Sequence, residues 1–138
     1  HWAPHLIHNE IWKKIGGFSE EFNPGNCSDP DLNMKLWNEG VRIFKGLDNF
    51  KVYHFGSISL RKKNDLKINK GSNTFLKKWG FTPAFFIKHF LRGGKFSKNK
   101  IISFKYDGPL NEPVKNFTYF VDLFISKIKL LKLILFKS

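Results

Sequence analysis

The sequence predicts an α/β chain that carries a helical, basic C-terminal extension. Two short runs rich in β-branched and aromatic residues, 41–45 and 50–55, read as strands, with Gly46, Leu47, Asp48 and Asn49 between them. Helix signals with their own start and stop residues stand on both sides of these runs. A long amphipathic stretch closes the chain.

Residues 1–7 alternate weakly and read as a strand, with Pro4 suggesting an edge or a strand start. Asn9 is a plausible cap for a short helix over 10–15, which has Glu10 in its first turn and Lys13 and Lys14 in its last. Gly16 and Gly17 end it, because the residue after a helix favours the left-handed region. Phe18 and Phe22 bracket Glu20 and Glu21 and anchor the loop that follows. Pro30 directly after Asp29 marks the next helix, with Asp29 as its cap and Leu32, Leu36 and Trp37 along one face. Asn38, Glu39 and Gly40 close it. Two short helices follow over 71–79 and 83–91, the second capped by Thr82. Gly93 and Gly94 then break into a Lys-rich linker.

Charge is unevenly placed along the chain. Residues 1–60 hold six Lys/Arg and seven Asp/Glu, whereas residues 61–105 hold thirteen Lys/Arg against Asp65 alone. A cationic segment of this kind implies an anionic partner such as nucleic acid, acidic lipid or a phosphorylated ligand; its plain alternative is a solvated, lysine-rich surface. Cys27 is the single cysteine, so the chain forms no internal disulfide. No apolar run approaches the roughly 20 residues that span a bilayer. The opening residues, which lack a Met, read like the interior of a fold and predict a fragment.

The tail over 117–137 has helical periodicity. Thr118, Asp122, Ser126, Lys129, Lys132 and Lys137 fall within an arc of about 140°, with Lys127 outside it and Phe, Leu, Ile, Val and Tyr elsewhere. Such a helix suits a membrane interface better than a span, and an ordinary core-packing helix explains the pattern equally well.

The stretch over 16–37 carries the sharpest chemical candidates. Asp29 and Asp31 at a helix start could serve as a general base and a substrate-holding partner, or could simply cap the helix and face its dipole. His54 at a strand end could ligate a metal or contact a phosphate, or could be a half-buried, hydrogen-bonded histidine. Lys77, Lys78 and Trp79 place cations beside an indole that could stack on a ring or help hold a diphosphate, or could be a core Trp among solvated lysines. No zinc-finger, RNP-type or recognition-helix pattern supports nucleic acid as the partner of this region.

Taken in order, these pieces resemble the C-terminal, acceptor-side half of a family 2 glycosyltransferase of the GT-A fold. The resemblance is carried by Gly16-Gly17-Phe18-Ser19-Glu20-Glu21-Phe22, then Ser28-Asp29-Pro30-Asp31-Leu32, then Asn38-Glu39-Gly40-Val41-Arg42-Ile43 and the run that holds His54. Asn73-Thr74-Phe75 with Lys78-Trp79-Gly80 extends it, so that it covers roughly residues 1–80. It implies a partial, Rossmann-like α/β fold without the nucleotide-binding half or its DxD motif, so that the chain alone would be inactive. The implied divisions are 1–62 for the acceptor-side half, 63–92 for a basic helical continuation, and 93–138 for a linker and amphipathic helix.

The implied activity is inverting transfer of a hexosyl-type sugar from a nucleotide-sugar donor to a saccharide or lipid-linked acceptor, in cell-surface polysaccharide synthesis. By resemblance Asp29 is the base that deprotonates the acceptor hydroxyl. Gly16, Gly17, Phe18, Ser28, Asp31 and Trp79 would line the acceptor site, Lys78 would meet the diphosphate, and His54 would approach a divalent metal, Mg or Mn. Ser28 stands where the family has Glu and Ser19 where it has Asp, which changes the acceptor contacts. The cations of 61–105 and the tail would dock the enzyme, from the cytoplasmic side, on an anionic inner leaflet. The competing reading is a non-catalytic basic module that binds membrane or nucleic acid.

Overall fold

The computed structural model describes residues 5–23, 26–44, 70–92, 95–97, 100–103 and 109–136. Helices dominate them: α1 (Asn9–Ile15), α2 (Ser28–Asn38), α3 (Lys70–Trp79), α4 (Pro83–His89) and α5 (Phe117–Leu135), with a 3₁₀ turn at Glu20–Phe22. The strands among the described residues are β1 (Lys95–Ser97) and β2 (Lys100–Ser103), an antiparallel pair with Phe96 opposite Ile101. They lie where the sequence predicts only a Lys-rich linker.

These elements overturn the expected α/β, Rossmann-like class: helix packs on helix, and no parallel sheet occurs among the described residues. The physical reason lies in α2. At about 100° per residue, Leu32 and Leu36 project to one side and Met34 and Trp37 to nearly the opposite one. Leu32 and Leu36 join Ile15 of α1, with Ile11 and Trp12 packed alongside. Met34 and Trp37 join Phe22, Phe75, Phe86 and Leu91 in a second cluster. Trp37 therefore does not share the face of Leu32 and Leu36, as periodicity alone predicts. A helix that is apolar on two sides must be covered on both, and α1 supplies one cover while α3 and α4 supply the other.

The expected strands fare differently along the chain. Residues 5–7 form no strand, and residues 41–44 run without a ladder, their described cross-connection being the amide of Leu110 donating to the Arg42 carbonyl at 2.8 Å. Lys45, the run over 50–55 and His54 lie outside the described residues. Arg42 instead acts as a clamp. Its guanidinium donates to the Trp37 carbonyl at 2.6 Å and to Glu112 at 2.8 Å while stacking 3.8 Å from the centre of the Trp37 ring. That clamp ties the segment leading into α5 to the end of α2.

Helix ends mostly follow local chemistry. Gly16 takes φ 69° after α1, and its amide and that of Gly17 bond back to Lys13 and Trp12. Thr82 caps α4 by accepting from the Phe85 amide, directly before Pro83. Two expected caps are displaced. His8, not Asn9, caps α1 through its imidazole, and Cys27, in the left-handed region at φ 66°, precedes α2 in place of Asp29. Asp29 thus sits inside the first turn of α2 rather than at its boundary.

Candidate functional site at the start of α2

Positions i and i+2 on a helix lie about 200° apart, so Asp29 and Asp31 leave α2 in opposite directions. Their surroundings differ accordingly. The side chain of Asp31 is only 1 % exposed. It accepts from Ser19 Oγ at 2.6 Å and from the Trp79 indole at 2.9 Å, and the Lys78 ammonium lies 2.9 Å away. Such a buried carboxylate is tolerable because each oxygen meets a donor.

Ser19 is the hub of this network. While its hydroxyl donates to Asp31, its oxygen accepts from Lys35 at 3.2 Å and from Lys78 at 3.1 Å. One donor and two lone pairs are all used. Lys35 also donates to the Gly17 carbonyl at 2.7 Å, which fastens the glycine turn to α2. Lys78 reaches Glu21 at 2.8 Å. Burial pulls the Lys78 ammonium down, but the bonds to Glu21 and Asp31 outweigh it and hold its pKa above the ordinary value. The outcome is a rigid polar junction between the 3₁₀ turn, α2 and the end of α3.

Two close approaches set α3 against this junction. A Cβ on Gly71 would run into the Asn26 backbone, so glycine lets the helix touch the turn before α2. The Cys27 thiol meets Ser72 Oγ at 3.4 Å. Burial pushes that thiol up, against the lowering bond from Ser72, which leaves it protonated and poorly nucleophilic.

Asp29 faces α1. Its side chain is 22 % exposed, and His5 Nδ1 lies 4.0 Å from its carboxylate, beyond hydrogen-bond distance. Burial pushes the His5 imidazole down, with the Asp29 charge opposing, so the ring is neutral at pH 7. Its Nε2 is buried without a partner among the described residues. Phe18 stands beside this pair, its ring 6.3 Å from that of His5 and edge-on to Trp12 at 5.6 Å. Gly17 makes that packing possible, because a Cβ there would come within 2.8 Å of the Trp12 ring.

The predicted site residues therefore separate into two groups. Gly17, Asp31, Lys78 and Trp79 are joined in the buried network, while Asp29 and Phe18 flank His5 at a more open edge. Gly16 contributes only its turn, Ser28 opens α2, and His54 lies outside the described residues. Lys78 is engaged by three oxygen-bearing side chains, so a diphosphate would have to compete with Glu21 and Asp31 for it. Sequence reasoning missed Lys35 and His5, and it gave Ser19 only as a departure from the family motif. Ser19 and Lys35 carry no local signal for a polar hub, and His5 meets Asp29 across 24 positions of sequence.

No group of three or more His, Cys, Asp or Glu side chains that could hold a metal ion occurs among the described residues. The implied divalent metal therefore finds no ligand set there. No protein-family model, no curated protein and no solved structure matches this chain.

Proposed function

We propose that the chain is the acceptor-side part of an inverting glycosyltransferase, which moves a sugar from a nucleotide-sugar donor to a saccharide or lipid-linked acceptor at the inner face of the cell membrane. The observation that carries this reading is the unequal standing of the two acids. Asp31 is saturated by Ser19, Lys78 and Trp79, whereas Asp29 is partly open with no donor within hydrogen-bond distance among the described residues. A base must reach the proton it removes, and the partial exposure of Asp29 supports that role for it over Asp31.

In the proposed step an Asp29 carboxylate oxygen takes the proton of the acceptor hydroxyl. The acceptor oxygen bonds to the anomeric carbon as the bond from that carbon to the diphosphate oxygen breaks, and the electron pair leaves with the diphosphate. Attack from the opposite side inverts the configuration. The Asp31 junction behind Asp29 holds the helix start through Ser19, Lys78 and Trp79.

The reading rests on these local arrangements and on the ordered motifs, not on a sheet. Its test uses a chain in which these residues follow a nucleotide-binding half, as the reading requires. Asp29→Asn there should lower transfer by about 10²–10⁴-fold, the usual worth of a positioned base, with thermal melting unchanged. Transfer that survives this change removes Asp29 from the chemistry. The non-catalytic, membrane-binding reading is favoured by one separate observation, the bare apolar face of α5. It prevails if that longer chain binds vesicles yet transfers no sugar from any nucleotide donor.

A further inference from the structure

The tail helix α5 is mounted the opposite way from an ordinary amphipathic helix. Its polar stripe faces the protein. Ser126 is 1 % exposed and lies 3.4 Å from both the amide and the hydroxyl of Thr82. Asp122 accepts from Lys88 at 2.6 Å and meets His89 Nε2 at 2.8 Å. Tyr119, one turn earlier, packs against Phe85 and His89. With the polar side occupied, the apolar side is bare: Phe120, Phe124, Ile128, Leu131 and Leu135 are between 37 % and 72 % exposed.

A contiguous apolar face of this extent marks an interaction site. Its borders say what kind. At about 100° per residue from Ser126, Lys127 flanks the bare face on one side, and Lys129 and Lys132 flank it on the other. Neither Lys129 nor Lys132 has an ion-pair partner among the described residues. The one acid of the helix, Asp122, is spent on the protein side. Apolar residues flanked by lysines whose stems reach toward water are the pattern of a helix lying in a lipid interface. A second copy of this face would set lysine borders against lysine borders, which disfavours self-association.

A cleft of about 680 Å³ opens along the Lys129–Lys132 border. Its polar lining is Ser72, Asn73, Thr82 and the two lysines. Leu76, Leu133 and Phe136 supply an apolar side, and Phe136 is itself 73 % exposed at the end of the bare face. Two ammonium groups with hydroxyl and amide donors suit a phosphate, and the adjoining apolar wall suits the chain attached to it.

We propose that the bare face of α5 lies in the headgroup layer of an anionic phospholipid bilayer, with the Lys129–Lys132 cleft holding a lipid phosphate at its edge. The helix neither crosses the bilayer nor needs to: no helix among the described residues is long and apolar enough to do so. This surface deepens the peripheral-membrane part of the reading above and rests on it, but it is independent of the sugar-transfer chemistry.

Flotation of the full chain with vesicles tests it. The protein should float with phosphatidylcholine vesicles containing phosphatidylglycerol, and about a hundredfold more weakly with phosphatidylcholine alone, since each lysine near an anionic surface contributes about fivefold. Phe124→Ser combined with Ile128→Ser and Leu131→Ser should abolish flotation without moving the melting temperature, because these side chains are not in the core. Lys129→Gln with Lys132→Gln should cost about 25-fold on anionic vesicles and little on neutral ones. Inorganic phosphate at millimolar concentration should leave flotation unchanged, and full displacement by it would assign the cleft to free phosphate instead. If the wild-type chain binds no vesicle, the peripheral-membrane reading falls together with this surface. If the triple serine variant still floats like wild type, this surface alone is refuted. A wild-type dimer in sedimentation without vesicles, made monomeric by the triple variant, would show that a second copy covers the face.

Discussion

Helices α2 and α5 handle the same problem in opposite ways. Both carry acids and large apolar residues around their circumference. In α2 the apolar residues project in two directions and both are covered, by Ile15 on one side and by Phe75 and Phe86 on the other. Its acid Asp31 is buried with three donors. In α5 the acid and the serine are docking contacts beside Tyr119, and a face of five large apolar residues looks outward. Helix burial here is decided by which partners are within reach and not by which face is more apolar. Where donors are in place, a polar stripe can dock, and the apolar face opposite it is left exposed.

The contrast can be broken most severely at Asp31. Asp31→Ala leaves the Lys78 ammonium and the Trp79 indole without their buried acceptor, and should destabilise by about 3–5 kcal/mol in urea unfolding. A loss below 1 kcal/mol would mean that the junction does not hold the fold. Leu32→Ala, at a fully buried position between α1 and α2, should cost about 3 kcal/mol by the same measurement. Ser126→Leu sharpens the other half of the comparison. Adding bulk at a position that is 1 % exposed against Thr82 should cost about 1–3 kcal/mol and lift α5, whereas an equally apolar change on its outward side should cost almost nothing. Hydrogen exchange in α5 reports that lifting directly.

Titration separates the two regions by sign. Bonds from Lys88 and His89 hold the Asp122 carboxyl below its ordinary value of 3.8, against the raising effect of burial. Its folded pKa is depressed, so the contribution is present above that value and is lost as pH falls through it. The α5 contact should loosen first in acid. Lys78 is shifted above its ordinary 10.5, so its contribution is full below that value and is lost as pH climbs past it. The α2 junction should loosen first in alkali. Tryptophan fluorescence follows the second transition, since Trp79 shares Asp31 with Lys78. Equal loosening of both regions at either extreme would collapse the distinction.

At Asp29 the smallest structural effect is expected. A side chain with no hydrogen bond among the described residues should change stability by no more than about 0.5 kcal/mol when replaced by Asn. Any larger shift in the melting curve would make Asp29 a structural group and weaken its assignment as a base.

Much of the local architecture was legible in the residues themselves. The turn at Gly16, the cap at Thr82 before Pro83 and the beginning of α5 at Phe117 all depend on partners within four positions. Such signals are written in consecutive residues. The errors came where a local rule met a distant partner. Asp29 looked like a cap because it precedes Pro30, yet the turn through Cys27 moves the boundary and places Asp29 inside the helix. The α/β expectation failed because apolar periodicity tells a helix from a strand but not what lies across from it. The amphipathic stripe of the tail was visible in sequence, but its direction was not.

By itself, then, the sequence determined where the helices lie to within a turn, how charge is distributed, and that two acids stand together at residues 29 and 31. Only the tertiary structure decided that these acids differ. Asp31 finds Ser19 across 12 positions and Trp79 across 48, contacts for which no local pattern exists. The outward turn of α5 was decided in the same way, by Thr82, Lys88 and His89 reaching its polar side from more than 30 positions away. Capping and turns are short-range interactions that neighbouring residues specify together. Saturation of a buried carboxylate, or exposure of an apolar face, depends on where the rest of the chain has come to lie.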